Sequence, residues 1–260
     1  MNYQKIAELY ENDSKIRELI PSDILNWGMR VMDENWTKAK TETAKNIVEH
    51  KVGHTKEVIE AGWEIMEREK SVDWDIKTGT IVCFLHDIGR FPQAQTDTLI
   101  DQKSGIDHGA LGSETFKEQN FGVKDKELIS EAIYGHSRKA YEGKNEYCKF
   151  VRDADKLALF RNYEKMEAID TRAHGLLGNE ISEDRLSEFL GGEVCVDDTR
   201  FKSVADWYLH NGTWMWDLNF EATKQIWREE NYPSMLISKF EKLNIDKDKF
   251  ELIKKRLLMF

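Results

Sequence analysis

Cys83, Cys148 and Cys195 are the only cysteines in 260 residues, and no two stand in a CxxC pair. Neither a disulfide framework nor a thiolate zinc site is suggested, and a reducing compartment fits. Proline is equally scarce, at Pro21, Pro92 and Pro233, so little interrupts the long segments in which apolar residues recur three and four apart. Long apolar runs are missing as well. Ile81-Val82-Cys83-Phe84-Leu85 falls far short of the roughly 20 residues needed to cross a bilayer. The opening Met1-Asn2-Tyr3-Gln4-Lys5 lacks the apolar core of a secretory signal. A cytoplasmic protein without a membrane partner is therefore expected. Positive charge is not in excess either: 38 Lys and Arg face 48 Asp and Glu, for a net charge of −10. That balance argues against a broad nucleic-acid surface. A small anionic substrate stays compatible with it, because a bound metal ion inverts the local field.

What is present is 40% hydrophobic and 33% charged, a composition that suits a globular chain. The spacing predicts helices over about 2–19, 22–48, 53–70, 75–88, 107–120, 125–138, 145–172, 182–190, 200–217, 219–231, 233–243 and 246–258. The class is all-α, and the length is within reach of one hydrophobic core, so residues 1–260 are read as a single all-helical domain. Gly89 to Asp107 holds Pro92 and Gly105 and shows no periodicity; ordered loops of that length are often functional. The last third carries Trp207, Tyr208, Trp214, Trp216, Phe220 and Trp227. Such a density of large rings points to helix packing, with a pocket wall or partner surface as the alternative.

Seven histidines occur, at 50, 54, 86, 108, 136, 174 and 210. Val58, Gly62 and Met66 follow His54 at four-residue steps, which puts His54 on the stripe that faces a core. Ile76, Thr80 and Cys83 lead to Asp87 in the same way, beside His86. An ionised carboxylate buried there costs several kcal/mol unless it is paired, coordinated or protonated, and coordination explains it best. Further on, Asp153 and Asp155 lie in the apolar run Phe150 to Leu157; two residues apart, they cannot share a helix face.

His54, the His86-Asp87 doublet and the later aspartate resemble the H…HD…D signature of the HD-domain superfamily. Leu85-His86-Asp87-Ile88-Gly89-Arg90 resembles that family's LHDIGK/R phrase. Val151 to Leu157 is similar to its V-x-x-A-D-K/R-L phrase, and His54-Thr55 with Val58 to its HT-x-x-V phrase. The resemblance covers roughly residues 45–165. It implies an HD-domain helical bundle, with additional C-terminal helices from about 175 to 260. Metal ligands implied are His54, His86, Asp87 and Asp155, with Asp153 as the alternate for the last. His108 and His136 resemble the intermediate histidines of two-metal relatives, where Asp87 would bridge; their bland alternative is a helix cap or a surface position. No GYP triplet follows His136, so cyclic-dinucleotide hydrolysis is not implied. His50 is read as a neighbour of the site, and His174 and His210 as structural.

The chemistry implied is metal-dependent hydrolysis of a phosphate ester, of a nucleotide or related small phosphorylated molecule, by metal-activated water. One or two divalent ions are expected, Mn²⁺, Fe²⁺, Co²⁺, Ni²⁺, Zn²⁺ or Mg²⁺. Arg90 is the first choice to neutralise phosphate oxygens, ahead of Arg138, Lys139 and Lys156, and His108 or His136 could donate a proton to the leaving oxygen if not a ligand. The rival readings are a di-iron oxygenase on the same fold and a metal-stabilised domain that binds or regulates without catalysis.

Overall fold

A computed structural model describes the chain except residues 2, 139–140 and 195–200 and the side chains of 169–174. Lys139, Cys195 and the His174 side chain lie outside the described residues. Every described element is helical, in keeping with the all-α class, and no strand occurs among the described residues. None of the described helices is long and apolar enough to cross a membrane. Contacts group the chain into two compact units, Met1–Ala158 and Leu159–Phe260, where length alone allowed a single domain.

The first unit contains α1 (Tyr3–Glu11), α2 (Ser14–Leu19), α3 (Ser22–Lys38), α4 (Glu42–Arg68), α5 (Ile76–Leu85), α6 (Arg90–Gln93), α7 (Asp101–Ser104), α8 (His108–Glu118), α9 (Lys126–Gly135) and most of α10 (Glu146–Arg161). Capping side chains set boundaries that periodicity does not reveal. The helix expected over 2–19 breaks at Asp13, whose carboxylate accepts from the amides of Lys15 and Ile16. The helix expected over 22–48 stops at Lys38, and a new one starts after Thr41, whose hydroxyl accepts from the Ala44 amide at 3.0 Å. From there α4 runs 27 residues without a break, straight through His50 and His54. Satisfying an orphan amide at a helix start is worth about 1 kcal/mol, more than the propensity difference that would favour continuing. The segment 89–107 is not a plain loop: α6, a 3-10 turn over Ala94–Thr96 and α7 lie within it.

Helix α5 is buried at every residue from Thr78 to Leu85, as a helix apolar on all sides must be, and α4 packs along it. Two glycines draw the elements that follow together. A Cβ at Gly89 would overlap the carbonyl oxygen of His108 and lie 2.8 Å from the Gly112 amide nitrogen; one at Gly109 would overlap the Ser137 hydroxyl and lie 2.9 Å from the Tyr134 carbonyl oxygen. The turn after α5, the start of α8 and the end of α9 meet backbone to backbone as a result.

The second unit comprises α11 (Tyr163–His174), α12 (Glu183–Gly191), α13 (Val204–Thr213), a 3-10 turn over Trp214–Asp217, α14 (Glu221–Glu229), α15 (Tyr232–Lys242) and α16 (Lys247–Leu257). The helix expected over 145–172 is divided at Asn162, and that expected over 200–217 begins its described part at Val204 and tightens into the 3-10 turn. Trp207, Tyr208, Phe220 and Trp227 are buried while Trp214 and Trp216 are half-buried, so the rings are mostly packing. Phe160 and Trp227 stand 4.2 Å apart between centroids and Tyr232 packs on both. His210 sits edge-on to Phe201 and Trp214 in this unit.

Candidate metal centre

Five elements of the first unit bring side chains to one place. Helix α4 presents Lys51 and His54 one turn apart. His86 and Asp87 come not from within α5, as periodicity suggests, but from the turn that closes it, where the amide of Ile88 donates to Leu85 and that of Arg90 to Asp87. His108 is the first residue of α8, placed there by the Asp107 carboxylate, which caps the Ala110 amide. His136 follows the last residue of α9. Asp155 lies on α10. His54, His86, Asp87, His108 and His136 are all buried, and the Asp155 side chain is one-quarter exposed.

The two carboxylate oxygens of Asp87 face different partners. Oδ2 lies 3.4 Å from His86 Nε2 and 4.0 Å from His54 Nε2. Oδ1 lies 3.4 Å from His136 Nε2 and 3.6 Å from His108 Nε2, and those two ring nitrogens are 3.3 Å apart. Within each of the groups His54–His86–Asp87 and Asp87–His108–His136, one donor atom per residue lies within 4.8 Å of the others. Nitrogen and oxygen ligands sit about 2.0–2.2 Å from a Zn²⁺-sized ion, so two ligands of one ion are up to roughly 4.4 Å apart. The pair distances around Asp87, from 3.3 to 4.0 Å, fall inside that span.

The ring nitrogens facing away from Asp87 decide what those facing it carry. His86 Nδ1 donates to the Cys83 carbonyl at 2.7 Å, and His136 Nδ1 donates to the Ile133 carbonyl at 2.6 Å. A carbonyl only accepts, so each Nδ1 holds a hydrogen and each neutral ring turns the lone pair of Nε2 toward Asp87. His86 Nε2 is buried and has no hydrogen-bond partner. A lone pair against a carboxylate oxygen is repulsive without a cation between them, and a divalent ion fits that arrangement; the alternative is a proton. Burial pulls His86 down, yet the Asp87 charge outweighs it and holds His86 above its ordinary value. Metal uptake would release such a proton.

Residues 52–159 match the family model described as HD domain. This stretch is an HD domain. Its match opens two residues before His54 and closes four after Asp155. No curated protein and no solved structure matches the chain.

In this HD domain Asp155, not Asp153, meets the cluster: its Oδ1 pairs with His54 Nε2 at 2.8 Å. Asp153 is fully buried. Burial and the Lys51 charge push His54 down to about 4. His50 lies parallel to His54 at 6.0 Å between ring centroids and belongs to neither group. Arg90 is engaged: its Nη1 donates to Gln93 and Asp101 at 2.7 Å each and to the Leu99 carbonyl, while Nε lies 3.5 Å from Asp87 Oδ1. Arg138 pairs with Asp107 at 2.6 Å and stacks over Tyr134. The buried Lys156 ammonium donates to the Arg152 carbonyl at 3.4 Å.

Three residues of the site escape a sequence reading. Lys51 is buried with its ammonium 2.7 Å from Asp87 Oδ2; the signal was a lysine on the apolar stripe of Val48, Val52 and Thr55. With His86 it outweighs burial and holds the Asp87 carboxyl far below the usual range. Arg152 donates to the carbonyls of Gly135, His136 and Arg138 and so fixes the turn that carries His136. An arginine inside the apolar run of α10 was its only trace. Asp101, in the aperiodic segment, receives His108 Nδ1 and left no local signal at all.

Proposed function

We propose that the HD domain hydrolyses a phosphate ester of a small molecule, a nucleotide or a related phosphorylated compound, using one or two divalent ions. His54, His86, Asp87 and Asp155 would hold the first, and Asp87, His108 and His136 the second. The observation that carries the reading is the convergence of imidazole lone pairs on the two oxygens of one buried aspartate. When bound there, divalent ions supply Lewis acidity toward a phosphoryl oxygen and lower the pKa of water.

The chain's own residues prepare that chemistry. Lys51 keeps Asp87 ionised, so both of its oxygens are available. Burial and the Arg90 charge hold His108 down to about 3, so it is neutral near pH 7, a state suited to ligation rather than to donating a proton. His136, whose Nδ1 donates to the Ile133 carbonyl, stands beside it as the other imidazole ligand of the second ion. Arg90 works from behind as a strut between Asp87 and Asp101, and in this reading its charge adds to that of the ions in offsetting a bound phosphate.

The test is metal analysis of the purified protein, then phosphate release from nucleotides, phosphomonoesters and phosphodiesters with Mn²⁺, Co²⁺, Ni²⁺ or Mg²⁺. Metal-dependent release that disappears in Asp87→Ala supports the reading. Full metal content and full activity in Asp87→Ala would overturn it, and oxygen uptake without phosphate release would transfer the site to the oxygenase reading.

A further inference from the structure

His86, His108 and His136 each have the outer ring nitrogen committed, but the commitments differ in kind. His86 and His136 are held by backbone carbonyls within their own turns. His108 is held by a side chain: its Nδ1 lies 3.0 and 2.8 Å from Oδ1 and Oδ2 of Asp101. Asp101 is itself fixed. Its Oδ1 accepts from Arg90 Nη1 at 2.7 Å and from Gln93 Nε2 at 2.8 Å. The Gln93 amide is fully buried and also reaches the Ser104 hydroxyl and the Ile106 carbonyl. Burial opposes the charge on Asp101, but His108 and Arg90 outweigh it and keep the carboxyl below its usual range.

We infer that Asp101 is a positioning residue for the second ion alone: its acceptor-only carboxylate fixes His108 as the Nδ1–H tautomer, leaving the Nε2 lone pair to complete the Asp87–His108–His136 group. This rests on the metal-binding reading above. A partner on the far nitrogen sets a ligating imidazole's tautomer, orientation and basicity. The first group contains no ring that Asp101 touches, so its ion should be indifferent to the same change.

The geometry also says what an amide would do at this position. In Asp101→Asn the oxygen stays where Arg90 and Gln93 donate, so the NH₂ takes the place of Oδ2 and faces His108 Nδ1. The NH₂ then stands at the nearer position, while Oδ1, 3.0 Å from Nδ1, is already taken by Arg90 and Gln93; this favours Nδ1 as the acceptor and moves the ring hydrogen to Nε2, where it points at Asp87 Oδ1 and blocks coordination.

Titration of the full chain with Mn²⁺, read by calorimetry and by electron paramagnetic resonance, tests the idea. The unaltered protein should take two ions and show a spin-coupled pair. Asp101→Asn should take one and show an isolated Mn²⁺ signal, while Asp101→Glu, which restores an acceptor, should recover the second. Asp101→Ala, which leaves Nδ1 to water, should bind the second ion roughly 10- to 100-fold more weakly. It carries the test if the Asn variant does not fold. Two ions bound with unchanged affinity in both the Asn and Ala variants would overturn the inference. So would an unaltered protein that binds only one ion, though the reading of the first group would then stand. An unaltered protein that binds no ion would instead remove the metal-binding reading itself.

Discussion

Lys51 is the residue whose chemistry differs most from what its type suggests. A lysine is among the side chains least often buried, and this one lies under a helix stripe with its charge on Asp87. Removing one partner of a buried pair costs about 3–5 kcal/mol because the other charge is left uncompensated. Lys51→Met should sit near the low end, about 3 kcal/mol, since His86 and Arg90 still face Asp87. A divalent ion would take over the neutralisation, so the deficit should shrink in saturating Mn²⁺. Urea unfolding with and without Mn²⁺ checks this. An equal deficit in both conditions would mean that Lys51 and the ion do not act on the same carboxylate. His54 and Asp87 were legible in the sequence because apolar neighbours at helical spacing exposed them as buried polar groups, whereas His108 and His136 came from the family resemblance alone. Lys51 carried the same signal, but a lysine stem reads equally well as a snorkelling surface residue.

Elements meet here through backbone rather than through side-chain bulk. The close approach at Gly89 lets the turn bearing His86 and Asp87 lie directly against the first turn of α8. Gly89→Ala would drive a Cβ into the His108 carbonyl, and a backbone atom cannot swing aside as a flexible side chain does. Overpacking of this sort costs about 1–3 kcal/mol. The expected outcome is a lower melting temperature together with loss of the second Mn²⁺ equivalent, because His108 moves away from His136. Full retention of that equivalent would show that α8 tolerates the shift. At this scale the sequence predicted helices well and their ends poorly. Asp13 and Thr41 start helices through side-chain hydrogen bonds to one or two backbone amides, which average composition over a turn does not register.

The two units divide the work differently. Met1–Ala158 holds the whole of the candidate centre. Leu159–Phe260 is organised around rings, with Phe160, Trp227 and Tyr232 in mutual contact. Trp227 is almost fully buried, and truncating such a ring costs about 3–5 kcal/mol. Trp227→Ala should therefore lower the stability of the second unit by that amount in denaturant unfolding, and a change below about 1 kcal/mol would show that the ring cluster is not its core.

Taken by itself, the amino-acid order determined that the chain is helical and that His54 and Asp87 are buried, because both follow from the 3.6-residue period within single segments. It also carried the family phrases. Which atoms meet was decided only by the tertiary structure. His54 reaches Asp155 across 101 residues of sequence, His136 reaches Asp87 across 49, and Lys51 reaches Asp87 across 36. The choice of Asp155 over Asp153, the partner behind each ring and the sharing of Asp87 by two groups depend on how separate helices are set against one another, and no local period encodes that.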